Sequence, residues 1–140
     1  KIKNKNTMGL FNKLFGASTD SGESKQEDAT PWINLTTIEQ LDEIVERSKT
    51  KTQIIFKHST RCGVSRMVMN QFKKSYRLSE SEADLYYLDL LNYRAISGEI
   101  AEKFQVMHES PQLLVIKNGV VVAYASHSGI NNMELGKFIL

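Results

Sequence analysis

A single cysteine, Cys62, stands in a chain of 140 residues. With no second thiol there is no intramolecular disulfide, so a disulfide-stapled scaffold is excluded. An excess of one charge is lacking too, with 18 Lys+Arg against 16 Asp+Glu and a net charge of +2. That balance leaves nothing to neutralise nucleic-acid phosphates, and no nucleic-acid partner is expected. No apolar run approaches the roughly 18 residues that a transmembrane helix needs. What is present is a 41% apolar sequence of one-domain length, enough for one core, carrying one thiol whose purpose has to be found.

The first 30 residues read as a disordered N-terminal tail and linker, because no apolar period of 2 or 3.6 is sustained across them. Met8 is the expected natural start, with Lys1 to Thr7 an upstream extension. Leu10, Phe11, Leu14 and Phe15 would share one face of a short helix, fit for weak contact with a membrane surface or a partner. Two turns bury little area, so a loosely docked tail is the simpler reading. The segment is too short for a secretory signal, and Lys13 stands where a myristoylation site wants Ser or Thr.

The folded domain is expected over 31–140, with 13 basic and 12 acidic residues. Thr36 and Glu39 make a capping box for a helix with Ile38, Leu41, Ile44 and Val45 inward. Gln53 to Lys57 is a short apolar run with strand character. Cys62 to Tyr76 carries Val64, Val68, Met69 and Phe72 at helical spacing. Leu85 to Leu90 is a second strand, and Arg94 to Phe104 a third helix. Gln112 to Ile116 and Val120 to Tyr124 flank Asn118-Gly119, a type I′ hairpin signal. Asn131 and Glu134 would cap a last helix. The order α-β-α-β-α-β-β-α predicts an α/β fold with a mixed four-stranded sheet and helices on both faces.

Cys62 then falls just after the first strand, at the start of a helix. The unpaired N–H groups and dipole of a helix N-terminus favour a thiolate, and Arg61 and Arg66 add positive charge. The competing reading, a buried core cysteine, sits poorly with the polar approach His58-Ser59-Thr60-Arg61. Cys62-Gly63-Val64-Ser65 is a CxxC motif whose second cysteine is serine. One helical turn brings Ser65 beside Cys62, where its hydroxyl or backbone N–H would steady the thiolate. A serine has no sulfur with which to resolve a mixed disulfide, so the site must exchange with an external thiol.

Ser110-Pro111 precedes the third strand. In this element order it reads as a cis-proline beside Cys62, leaving the Ser110 backbone free to pair with a thiol substrate. The topology also gathers His58, Asn92-Tyr93-Arg94, His108-Glu109 and His127 at one rim. None of the histidine spacings is a metal pair, so no metal is expected. Arg61 and Arg94 are candidates for the carboxylates of a small thiol cofactor, or plain surface charges.

The runs His58 to Ser65, Tyr87 to Arg94, His108 to Gln112 and Ile116 to Gly119, continuing through Ala125-Ser126-His127, resemble the YtxJ-like monothiol bacilliredoxin family. The likeness spans Trp32 to Leu140. It implies a thioredoxin-like fold and a cytoplasmic bacterial oxidoreductase of redox homeostasis. Cys62 would attack mixed disulfides between client proteins and bacillithiol. Free bacillithiol would recycle it as co-substrate, with no tightly bound cofactor. Many members carry Pro after the cysteine, where this chain has Gly63. That change also makes the tetrapeptide similar to CGFS monothiol glutaredoxins, which carry iron–sulfur clusters. Those have Thr-Val-Pro where Glu109-Ser110-Pro111 stands, and a Gly-Gly-x-Asp element where Ser126-His127-Ser128-Gly129 stands. A thioredoxin-like adaptor with a vestigial Cys62 is the third alternative.

Overall fold

The structure, a computed structural model, describes residues 29–140. The expectations of a start at Met8, an apolar face at 10–15 and, for all but its last two residues, a disordered tail over 1–30 fall outside the described residues. The chain runs β1 (Trp32–Asn34), α1 (Glu39–Arg47), β2 (Thr52–His58), α2 (Gly63–Ser75), β3 (Ala83–Asp89), α3 (Arg94–Phe104), β4 (Gln112–Lys117) and β5 (Val120–Ser126). Two 3-10 turns follow, at His127–Asn132 and Leu135–Phe138. The sheet order is β1-β3-β2-β4-β5. β1 and β2 lie parallel to β3, while β4 is antiparallel to β2 and to β5.

All seven residues of β2 are buried, as befits a strand covered on both faces. Its side chains alternate between two cores. Ile55 packs with Leu41 and Ile44 of α1, Ile96, Ile100 and Phe104 of α3, and Leu114 of β4. Ile54 and Phe56 pack with Val68, Met69 and Phe72 of α2, Leu113 and Val115 of β4, and Ile130. Helices on both faces of a mixed α/β sheet are therefore as expected. The β4–β5 turn has φ of 52° at Asn118 and 80° at Gly119, the left-handed pair a type I′ hairpin requires. Ser48, buried at the end of α1, clasps this turn: its C=O accepts from Asn118 N–H and its hydroxyl from Gly119 N–H, each at 2.8 Å.

Three expectations need correction. The sheet has five strands, because Trp32-Ile33-Asn34 pairs with β3 as an edge strand too short to show a period of its own. The last helix is absent, replaced by the two 3-10 turns; Gly129, Asn131, Asn132 and Gly136 weaken helical propensity across that run. The cap of α1 lies one residue further on. Thr37 Oγ1 accepts from Gln40 N–H at 3.3 Å, and Gln40 Oε1 accepts from Thr36 and Thr37 N–H at 2.7 and 3.0 Å. With that shift Ile38 stays exposed while Leu41 and Ile44 are buried.

A polar network closes the sheet at the N-terminal end of β2. Asp84 accepts from Gln53 Nε2 at 2.9 Å and from Lys51 Nζ at 3.0 Å, and the Tyr86 hydroxyl donates to Gln53 Oε1 at 3.0 Å. Burial raises the Asp84 pKa, but the Gln53 and Lys51 hydrogen bonds and the Lys51 and Arg47 charges outweigh it and hold the carboxyl below its ordinary value.

Candidate active site at the thiol end of the sheet

Register decides which loops meet. The parallel strands β2 and β3 run in register to their last residues, His58 opposite Asp89. β4 starts at that end, Gln112 opposite Lys57, and β5 returns to it, Ser126 opposite Gln112. The segments after β2, β3 and β5 and before β4 thus share one rim, where His58, Tyr93, Arg94, His108 and His127 all fall. Leu90 N–H donates to His58 C=O at 2.9 Å, and His127 N–H to Pro111 C=O at 3.0 Å, tying the segments together.

Cys62 is half-buried at this rim as the N-cap of α2, with extended backbone. Its N–H donates to Ser59 C=O at 3.2 Å and its C=O accepts from Arg66 N–H at 3.0 Å. The main chain is therefore held from both sides, while the sulfur makes no capping hydrogen bond. The first-turn N–H groups of α2 lack intrahelical acceptors, and no acidic residue in that turn opposes their partial positive charge. Arg61 is exposed; Arg66, also exposed, donates from Nη1 to Thr60 C=O at 3.2 Å and braces the loop. Gly63 opens the helix, and a Cβ there would meet nothing nearer than Arg66 Nη2 at 3.9 Å.

Ser65 departs from expectation. Its side chain is fully buried, and its Oγ lies 2.7 Å from His58 Nδ1 while accepting from Ser59 N–H at 3.1 Å. Among the described residues it makes no hydrogen bond to Cys62 Sγ. Val64, expected on the inner face, is exposed, as are Met67 and Met107. The Ser110–Pro111 peptide is cis, with Pro111 buried directly before β4. The Ser110 Oγ is buried without a partner among the described residues, and its backbone makes no hydrogen bond among them. Arg94 is exposed at the first residue of α3.

Two groups escaped the sequence reading. Lys57 is fully buried on the α1/α3 side of β2, its Nζ 3.0 Å from His108 Nδ1 and 3.4 Å from Ser97 Oγ. Burial alone brings its pKa down from 10.5 to about 8. A lysine at an inward position beside Phe56 was the available signal. His58, expected only as a rim residue, is 7% exposed, and burial lowers its pKa. Asp89 pulls that pKa upward, whereas Lys73 and Arg66 push it further down. Among the described residues no three His, Cys, Asp or Glu side chains converge as metal ligands would. No described helix is long and apolar enough to cross a membrane.

A cysteine capping the helix after β2, on the sheet edge where a cis-proline precedes β4, defines a thiol redox protein of the thioredoxin fold. A solved structure described as having that fold is 36% identical, with a TM-score of 0.64, over 76% of this chain and 92% of its own. Thioredoxins of Malassezia sympodialis and Schistosoma mansoni share the architecture at 17% and 23% identity. The first has a TM-score of 0.59, covering 74% of this chain and 84% of its own; the second has 0.57, covering 77% and 95%. The family model for monothiol bacilliredoxin BrxC matches residues 33–135, and the chain belongs to that family.

Proposed function

We propose that the protein removes bacillithiol from mixed disulfides with client proteins through Cys62, in the cytoplasm of a bacterium that uses this thiol. The observation that carries the reading is a lone, half-buried cysteine at the N-terminus of α2, on the rim that also presents the unpaired backbone of Ser110. The Cys62 thiolate attacks the bacillithiol sulfur of the client disulfide. A Cys62–bacillithiol bond forms, the client bond breaks, and the client leaves as a thiolate that takes a proton from solvent. A second bacillithiol thiolate then attacks the bacillithiol sulfur of the enzyme adduct. It releases the Cys62 thiolate and bacillithiol disulfide, so electrons balance without a second protein cysteine.

Residue roles follow from placement. Ser110 offers backbone N–H and C=O to the substrate chain, with Pro111 holding that loop beside β4. Ser65 contributes its first-turn N–H rather than its hydroxyl to the thiolate, since the hydroxyl is held by His58 and Ser59. Arg61 and Arg94 supply positive charge for the carboxylates of bacillithiol, and Gly63 leaves the approach to sulfur open. Exposed Val64, Met67 and Met107 give the rim apolar area that suits a protein client.

The test is intact mass after exposure to bacillithiol disulfide, with glutathione disulfide in parallel, followed by loss of bacillithiol from a modified client protein. One adduct on Cys62, reversed by free bacillithiol, and client release that vanishes in Cys62→Ser are the expected results. Client release unchanged in Cys62→Ser would overturn the assignment. So would the absence of any adduct in a protein that comes out coloured by an iron–sulfur cluster when purified without air.

A further inference from the structure

We propose that His108 anchors a carboxylate of the small thiol substrate through its Nε2–H, with Lys57 as the buried charge that makes the ring a strong donor. The inference rests on the exchange reading above and gives that reaction a further binding residue. Its basis is three polar groups that meet within reach of one another. Lys57 Nζ lies 3.0 Å from His108 Nδ1 and 3.4 Å from Ser97 Oγ, and Ser97 Oγ lies 3.1 Å from the same Nδ1.

An ammonium donates and never accepts. A proton on Nδ1 would point at that ammonium, so Nδ1 is bare and accepts from Lys57, and the ring is the neutral Nε2–H tautomer. Lys57 and Ser97 are buried while His108 is exposed. The ring therefore turns Nδ1 inward and leaves Nε2–H on the solvent side, where no acceptor takes it among the described residues. The place is the thiol rim: His108 stands two residues before Ser110, and Lys57 is the register partner of Gln112.

Charge decides the class of ligand. Lys57 is a fully buried cation with no carboxylate partner among the described residues, a state that costs stability until a countercharge arrives. A carboxylate on Nε2–H supplies one. The ammonium polarises the imidazole from behind, and the polarised N–H meets the anion in front. Burial lowers the His108 pKa, and the charges of Lys57 from β2 and Arg94 from α3 act with it, while Glu109 of its own segment opposes them. The ring thus stays a neutral donor at pH 7, and the cations around it outnumber the one carboxylate.

The first experiment removes exchange chemistry. Cys62→Ser protein is titrated with L-malate, a dicarboxylate probe, and the imidazole nitrogens are followed by 15N NMR at pH 7. His108 is expected as the Nε2–H tautomer, with Nε2 the resonance that malate moves. Lys57→Met leaves Ser97 to hold the ring and removes only the charge. It should weaken malate binding about 10-fold, the factor of one charge-assisted hydrogen bond. It should also abolish a loss of affinity that sets in above about pH 8, where Lys57 sheds its proton. An Nδ1–H tautomer, His108 resonances that malate leaves in place, or an affinity unchanged in Lys57→Met overturns the proposal.

The second experiment asks where the carboxylate comes from. With Cys62 intact, His108→Ala should lose about 10-fold more kcat/KM toward bacillithiol disulfide than toward hydroxyethyl disulfide, which has no carboxylate. An equal loss on both overturns the assignment to the small thiol. The two readings fail separately. Malate bound at His108 in a protein inert toward bacillithiol disulfide refutes the exchange reading and leaves the carboxylate site standing, and active exchange without a malate shift does the reverse.

Discussion

Replacing Lys57 by methionine should stabilise the protein at neutral pH and erase a stability rise on the alkaline side. Lys57 is fully buried, has no carboxylate partner among the described residues, and hydrogen-bonds there only to His108 and Ser97. Burial lowers its pKa from 10.5 to about 8, a charging penalty of about 3 kcal/mol in the folded state. Below about pH 8 the lysine is protonated folded and unfolded, so the penalty is fully present. Between about pH 8 and 10.5 the unfolded chain holds the proton that the folded one has shed, so stability rises with pH. Two tyrosines set the end of that rise. Burial pushes Tyr76 and Tyr86 from 10.0 to about 12, so above about pH 10 the unfolded chain loses protons first and stability falls.

From pH 8 to pH 9.5 the expected net gain is roughly 1–1.5 kcal/mol in wild type, whereas Lys57→Met, left with the tyrosines alone, should lose a few tenths of a kcal/mol, about 0.3. At pH 7 Lys57→Met should be more stable by about 1–3 kcal/mol, since an apolar chain of similar length replaces an unpaired buried charge. His108 and Ser97 keep each other as partners, 3.1 Å apart. Urea unfolding at a series of pH values is the assay, with both proteins carrying Cys62→Ser so that disulfide-linked dimers do not intrude. A wild-type stability that is flat or falling between about pH 8 and 9.5, or a rise that survives in Lys57→Met, would refute the reasoning.

Other substitutions test separate parts of the account. Gly63→Pro places proline at the first position of α2, where the N–H has no intrahelical acceptor and space is open, so stability should rise by about 1 kcal/mol in chemical denaturation. Asp84→Asn should cost about 2 kcal/mol at pH 7. Because the folded carboxyl titrates below 3.8, wild type loses stability as pH falls through that range, and the variant should show a shallower acid limb in thermal unfolding. Gly119→Ala forces a Cβ onto φ of 80°, and thermal unfolding should register a loss of about 1 kcal/mol with the fold intact.

The parts of the molecule legible in the sequence were those where period and turn chemistry agree. Asn118-Gly119 announced the hairpin because both positions need positive φ. The crossovers placed Cys62, Pro111 and the histidine-bearing segments at one end because parallel strands separated by a helix leave little choice. What stayed hidden was set by neighbours distant in sequence. β1 exists only because β3 offers it an edge, and three residues carry no period. The side-chain hydrogen-bond partner of Ser65 is His58, seven residues upstream and on a strand, whereas helical spacing pointed to Cys62. Lys57 closes a short apolar run in the sequence, and only the covering α3 shows that its ammonium is enclosed.

Trp32 is the sole tryptophan of the chain, so its intrinsic emission comes from one known place. The indole lies 6.0 Å from Phe56 and Phe72 and 5.6 Å from Tyr87, on the α2 side of the sheet. Tyr87 in turn lies against His58. The fluorescence spectrum is therefore a gauge of one layer and not the other. Loosening of β1 or α2 wets the indole and shifts its emission to the red, while events around Lys57, on the opposite face, pass without an optical trace.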